Sequence, residues 1–172
     1  NPKIAAAVSG GPDSMALLYL LNNWINKNNG NLVALIVDHK IRKESSIEVK
    51  TIHNLLNQKN ISSKILRIKK SNVTKKNMSE ARTNRYKILT NYCYKHDILH
   101  LFIGHHKDDY IETFINRKIS GSDFEGLHSI KKNIVINRVH ILRPLLGFSK
   151  KQIYKFNKIN KISFIQDPSN SN

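Results

Sequence analysis

The chain has 172 residues, 40% of them apolar and 24% charged, with 29 Lys+Arg against 12 Asp+Glu and a formal net charge of +17. That length suits one full hydrophobic core, the composition excludes a disordered chain, and no apolar run approaches the roughly 20 residues that cross a bilayer. One cysteine, Cys93, excludes an internal disulfide framework and any all-cysteine metal site, as in proteins of the reducing cytoplasm. The basic excess favours a polyanionic partner, because neutralised phosphates release condensed counterions. The A/T-rich codons of 22 Lys, 21 Asn and 23 Ile account for part of the lysine but not for the scarcity of acids.

In chain order, IAAAV (Ile4 to Val8) predicts a buried strand, and after the turn SGGPDS a helix runs from about Asp13 to Lys27 with Leu17, Leu18, Leu21 and Trp24 on one face. LVALIV (Leu32 to Val37) predicts a second buried strand. A helix follows with Ser45 or Ser46 as N-cap and Ile47, Ile52, Leu55 and Leu56 at helical spacing. SKILRI (Ser63 to Ile68) alternates as a third strand, and the basic stretch Lys69 to Asn77 reads as a surface loop. A long helix capped near Asn77 or Ser79 carries Cys93, and HLFIG (His100 to Gly104) is a fourth strand before the helix DDYIETFINRKI. VINRVHILRPLL predicts a fifth extended stretch that Pro144 ends, and Ser149 caps a last helix. Strands alternating with helices imply a parallel five-stranded sheet with helices on both faces, in one domain over residues 1–172. Ligands of such sheets bind at the carboxyl ends of the strands, which directs attention to the loops after Val8, Val37, Ile103 and Leu142.

The first of those loops carries the chemistry. Ser9–Ser14 lacks the lysine of a Walker loop and the spacing of a dinucleotide fingerprint. Its physics is similar all the same. Gly10 and Gly11 leave backbone N–H groups free to turn toward an anion, the next helix adds its dipole, and Ser9 and Ser14 offer hydroxyls. Asp13 is out of place in a pure anion site unless it holds a Mg²⁺ ion bridging to phosphates.

This turn, after a strand and before a helix, resembles the signature loop of the N-type ATP pyrophosphatases, the PP-loop superfamily. The resemblance implies a Rossmann-like, adenine nucleotide alpha hydrolase-like fold that uses ATP. Four further segments, VDHKIRKES, EARTNRY, GHHKDDYIETFINRKISGSDFEGL and RPLLGFSKKQI, are similar in order and spacing to the tRNA(Ile)-lysidine synthetase family over nearly the whole chain. That family implies a carbon–nitrogen ligase. ATP adenylates the C2 carbonyl oxygen of the wobble cytidine of tRNA(Ile), anticodon CAU, and the ε-amine of free L-lysine displaces AMP to give lysidine. Its C-terminal tRNA-binding domains have no counterpart in these 172 residues, and QDPSNSN, where the family continues, closes the chain.

Carried over residue by residue, the resemblance implies that Ser9, Gly10, Gly11, Asp13 and Ser14 hold the nucleotide, with Asp13 on the metal. It places Arg82 of EAR on phosphate, with Arg85 as the same-face substitute, and His105 against ATP, with His106 beside it as a packing residue. Asp38 and His39 fall near the adenosine. Asp109 and Glu112 share a helix face suited to the lysine amine, Asp108 complements the helix dipole, and Arg143 pairs with the lysine α-carboxylate. Arg117, Lys118, Lys131, Lys132, Lys150 and Lys151 are candidates for a phosphate track, and SGSDFEGL (Ser120 to Leu127) for a loop beside the cytidine pocket. The expected location is cytoplasmic, with no membrane partner, and a homodimer is left open. The rivals are a tRNA thiolase, an amidating ATP pyrophosphatase and a non-catalytic tRNA-binding module; thiolation needs cysteines that this chain, with Cys93 alone, does not have.

Overall fold

The structure, a computed structural model, describes residues 1–38, 45–68, 78–121 and 130–165. Within these, β1 (Lys3–Ala7), α1 (Pro12–Lys27), β2 (Asn31–Asp38), α2 (Ser45–Gln58), β3 (Ser63–Arg67), α3 (Met78–Lys95), β4 (His100–Ile103) and α4 (Lys107–Ile119) alternate as expected. The strands β5 (Asn133–Ile136) and β6 (Val139–Leu142), a 3-10 turn (Pro144–Gly147) and α5 (Lys150–Ile159) complete the chain. His39, the loop from Lys69 to Asn77, the segment 122–129 and the terminal QDPSNSN lie outside the described residues.

The sheet has six strands, not five, in the order β3-β2-β1-β4-β6-β5, and β5 runs antiparallel to β6 at its edge. The stretch expected as one strand turns back on itself at Asn137 and Arg138, whose φ angles of 50° and 63° make a two-residue hairpin turn. Such turns usually announce themselves through glycine, and an Asn-Arg pair without it reads as uninterrupted strand.

Alternating residues of the buried strands face opposite cores. Ile4, Ala6, Ala34 and Ile36 pack with α1, α2 and Ile153 of α5, while Ala5, Leu35, Leu101 and Ile141 pack with Leu89 and Cys93 of α3. In α1, Leu17, Leu18 and Leu21 are buried as expected, but Ile25 takes the place assigned to Trp24, which is 47% exposed. Six residues on from Leu18, Trp24 comes out about 120° round the helix from it. Cys93 is wholly buried, and burial pushes its thiol up to about 12. We expect iodoacetamide to leave Cys93 unmodified in the folded chain and to alkylate it once urea unfolds the protein, as mass spectrometry would show; labelling at native rates comparable to a free thiol would contradict this burial.

The sheet reverses direction between β1 and β4: the chain steps outward through β2 and β3, then returns to the other side of β1. Strand order therefore sets the turn after β1 beside the turn after β4, at the switch point where open α/β sheets bind ligands.

Candidate active site

The turn after β1 is held from three sides. Gly10 has φ +85°, and a Cβ there would stand 2.5 Å from Cδ1 of Ile52, so only glycine fits both the backbone angle and the space. Ser14 Oγ donates to the Gly11 carbonyl at 3.0 Å and lies 3.2 Å from Ser9 Oγ, so both hydroxyls, expected as donors to phosphate, also brace the loop. From outside, Ile165 N donates to Gly10 O at 2.9 Å, and the buried amide of Asn157 in α5 donates to Pro12 O at 2.9 Å. Gly11 occupies the N-cap of α1 without a side-chain cap, which leaves the first amides of that helix for an incoming anion.

The turn after β4 presses directly on this loop. A Cβ on Gly104 would lie 3.1 Å from the carbonyl of Asp13 and the amide of Ser14. Next, His106 caps α4: its Nδ1 accepts from Asp109 N at 3.3 Å, and Asp109 Oδ2 accepts from His106 N at 2.8 Å. Its other ring nitrogen faces Asp13 Oδ1 at 3.7 Å. His106 thus joins the two turns, a role beyond the packing expected of it. Asp108 complements a helix, though not only its own: its Oδ2 accepts from Lys150 N, the first amide of α5, at 2.6 Å. That bond, with His106 and Lys107 nearby, holds the Asp108 carboxyl below its usual range.

Asp13 is poised differently. Burial, together with the nearby Asp109 carboxylate, outweighs His106 and Lys150 and raises its pKa. Its Oδ1 is buried and accepts no hydrogen bond from the described residues. A carboxylate oxygen kept dry and unpartnered is suited to a hard cation.

His105 sits on the far side of the same turn. Arg143 Nε donates to its Nδ1 at 3.0 Å, and Arg143 also donates to Lys131 O and to the Tyr86 hydroxyl, at 2.6 and 3.1 Å. Burial, then the positive charges of Arg143, Arg85 and Arg82, push the His105 pKa down to about 3. The unfolded chain takes up this proton near pH 6.5 and the folded chain only near pH 3. Between those values the unfolded state binds the extra proton, so folding stability falls as pH drops, on the order of 4 kcal/mol over the whole window. Asp13, with its raised pKa, offsets part of that loss. We expect chemical denaturation from pH 7 to pH 4 to show this acid limb and His105→Gln to flatten it; an unchanged slope in the variant would count against a neutral, buried His105.

Two adjoining cavities result. One, of about 370 Å³, is polar and includes Ser9, Gly11, Asp13, Glu48, Asp109 and Glu112 in its wall. The other, of about 220 Å³, has the apolar wall Ala7, Leu35, Val37 and Ile103 with Ser14, Arg85 and His105. Ser9, Asp13 and Asp109 border both.

Most of the residues named from sequence are therefore brought together. Arg82 is exposed and lines neither cavity; it lies over the Tyr86 ring at 5.9 Å, and its alternative, Arg85, is the arginine that reaches the wall. Arg143 lines neither cavity and is 3% exposed. Asp38 is buried at the end of β2, where Ser46 Oγ donates to it at 3.0 Å. Glu48, Gly104, Tyr86 and Asn157 were not anticipated. Gly104, in GHH after a strand, carried a readable signal; the other three act across the fold and carried none.

Comparison with known proteins bears on the family and the fold. The chain is 40% identical over 172 residues to a tRNA(Ile)-lysidine synthase of Orientia tsutsugamushi (strain Boryong) and 41% identical over 172 residues to one of Wolbachia sp. subsp. Brugia malayi (strain TRS). The matches take in 99% of this chain but only 38% and 40% of the relatives' lengths. Among solved structures, a U34-tRNA thiolase, NcsA, from Methanococcus maripaludis with its [4Fe-4S] cluster superposes with a TM-score of 0.83 at 24% identity, over 98% of this chain and 60% of that one. An NH3-dependent NAD synthetase from Campylobacter jejuni shares the fold at a TM-score of 0.60 and 16% identity, over 93% of this chain and 64% of that one. The PP-loop domain family model matches residues 1–172, and the chain belongs to that family.

Proposed function

We propose that this chain is the ATP-using catalytic core of a tRNA(Ile)-lysidine synthase. The observation that carries this reading is the shared border of the two cavities. The glycine turn, Asp13 and the Asp109–Glu112 face of α4 open onto one continuous space, beside an apolar wall of strand ends. About 40% identity to curated tRNA(Ile)-lysidine synthases supports the choice of substrates.

In this reading the adenine rests against Ala7, Leu35 and Val37, with Asp38 near the adenosine, while the phosphates lie over the amides of Gly10 and Gly11 at the α1 N-terminus. Ser9 and Ser14 add hydroxyls, and Arg85, with Arg82 behind it, offsets phosphate charge. His105 contacts the nucleotide. Asp13 is the residue that would hold Mg²⁺, since its buried Oδ1 accepts no hydrogen bond from the described residues. Among the described residues no three His, Cys, Asp or Glu side chains are arranged to hold a metal ion, so Asp13 would be its one protein ligand there. When bound, the ion neutralises charge on the phosphates. Asp109 and Glu112 receive the cationic amine of free lysine, and Arg143 reaches its carboxylate only if it exchanges one of its present bonds. The protein's work is to hold ATP, one cytidine base and one lysine in line. The C2 carbonyl oxygen takes AMP from ATP as pyrophosphate leaves. The bound ammonium gives a proton to the Asp109 or Glu112 carboxylate, and the neutral amine attacks C2 as the C2–O bond breaks and AMP leaves. The net charge of +17 suits a tRNA partner.

The test is AMP formation with a tRNA(Ile) transcript of anticodon CAU, with and without lysine. Lysine-dependent release of AMP and pyrophosphate is expected, with the KM for lysine rising at least about tenfold in Asp109→Asn and Glu112→Gln from the loss of charged partners. Turnover with ammonia and a small acid in place of tRNA and lysine would overturn the reading in favour of an amidating enzyme. Within these 172 residues Cys93 is the single cysteine and it is buried, so this segment does not by itself supply the several thiolates that hold an iron–sulfur cluster.

A further inference from the structure

Arg143 is a buried guanidinium with no carboxylate partner among the described residues. A buried cation is costly unless its donors are spent on good acceptors. Here each nitrogen of the fork has one: Nε on His105 Nδ1, one terminal nitrogen on Lys131 O and the other on the Tyr86 hydroxyl. Arg143 stands at the end of β6, Tyr86 on α3 and His105 after β4, so the fork cross-braces three parts of the fold.

The chemistry of the donor determines the state of the imidazole. A guanidinium is always a donor and cannot accept. The His105 nitrogen that faces it is therefore a lone pair, and the ring proton must sit on Nε2. Resting on the proposed function, we infer that Arg143 and Tyr86 are positioning residues that lock His105 as a neutral Nε2–H hydrogen-bond donor toward the nucleotide, and that Arg143 acts through His105 rather than as a lysine ligand. A donor fixed in this way stabilises a phosphoryl oxygen without passing it a proton, and it is aligned before the nucleotide arrives. The charged and titratable neighbours of His105 fit this state. Arg143, Arg85 and Arg82 all disfavour a second proton on the ring, as does His106. Tyr86 belongs to the same set: burial alone would raise its pKa, but the Arg143 bond and the three arginine charges carry it below the usual tyrosine value.

Two measurements separate this from a lysine-binding role. In the ¹⁵N spectrum of histidine-labelled chain, His105 should show an unprotonated Nδ1 and a protonated Nε2 from pH 5 to pH 8. Arg143→Gln, whose amide can accept as well as donate, should mix the tautomers, and Tyr86→Phe should do so more weakly. Kinetically, Arg143→Lys should lower kcat about 10- to 100-fold at saturating lysine while the KM for lysine stays within about twofold, and Tyr86→Phe should follow the same pattern at about 3- to 10-fold. A protonated Nδ1 in the parent, or an unchanged tautomer in Arg143→Gln, overturns the inference. So does a KM for lysine that rises tenfold at constant kcat, with 1,5-diaminopentane, lysine without its carboxylate, used equally by parent and variant. The spectra require no turnover, so the brace and the lysidine reading can fail independently.

Discussion

Asp13→Asn is expected to reduce AMP formation by about 100-fold or more and, at the same time, to raise the stability of the nucleotide-free protein. Both effects follow from one environment. Folding raises the Asp13 pKa through burial and the nearby Asp109, so in the absence of ligand the ionised form is held at a cost. Asparagine has the same shape without the charge, which removes that cost along with the oxygen that a cation would use. Thermal unfolding without nucleotide and an assay of AMP release test the two halves. A variant less stable than the parent would show that Asp13 is structural, and one that turned over normally would remove it from the proposed nucleotide site.

Gly10→Ala is the second large effect. The new methyl meets Ile52 Cδ1 at 2.5 Å and Cγ1 at 2.7 Å, in a backbone conformation at φ +85° that alanine adopts only under strain. Overpacking costs about 1–3 kcal/mol and the left-handed backbone about 1–2 kcal/mol more. The amide that Ile165 holds in place through Gly10 O would turn with the peptide, and ATP affinity should fall at least about tenfold. Adding Ile52→Ala opens the space but leaves the backbone strained, so the double variant should be less destabilised than the sum of the two single ones and recover part of the nucleotide affinity. Calorimetry and denaturant titration measure both. Strict additivity would mean that the two side chains never meet.

Both predictions concern a turn that was legible in the sequence, because its chemistry is local. Two adjacent glycines, an acid and a serine between a buried strand and an amphipathic helix restrict what the backbone can do there. Asp109 and Glu112 were legible for the same reason, since a spacing of three places them on one helix face. Ser149 was readable as a cap, and it forms a capping box with Gln152.

The alternation of apolar runs and amphipathic stretches thus determined the fold class, and local residue chemistry the glycine turn and the acidic helix face, each set by contacts among residues a few positions apart. Tertiary structure alone decided that β5 and β6 form a hairpin and that His106 bridges Asp13 and α4. It also decided that Arg85 rather than Arg82 reaches the cavity wall, and that Arg143 meets Tyr86 and His105 across 57 and 38 residues of chain. Periodicity shows that a residue is helical or buried, but its partners depend on strand order. That order follows from how the whole sheet covers its two apolar faces.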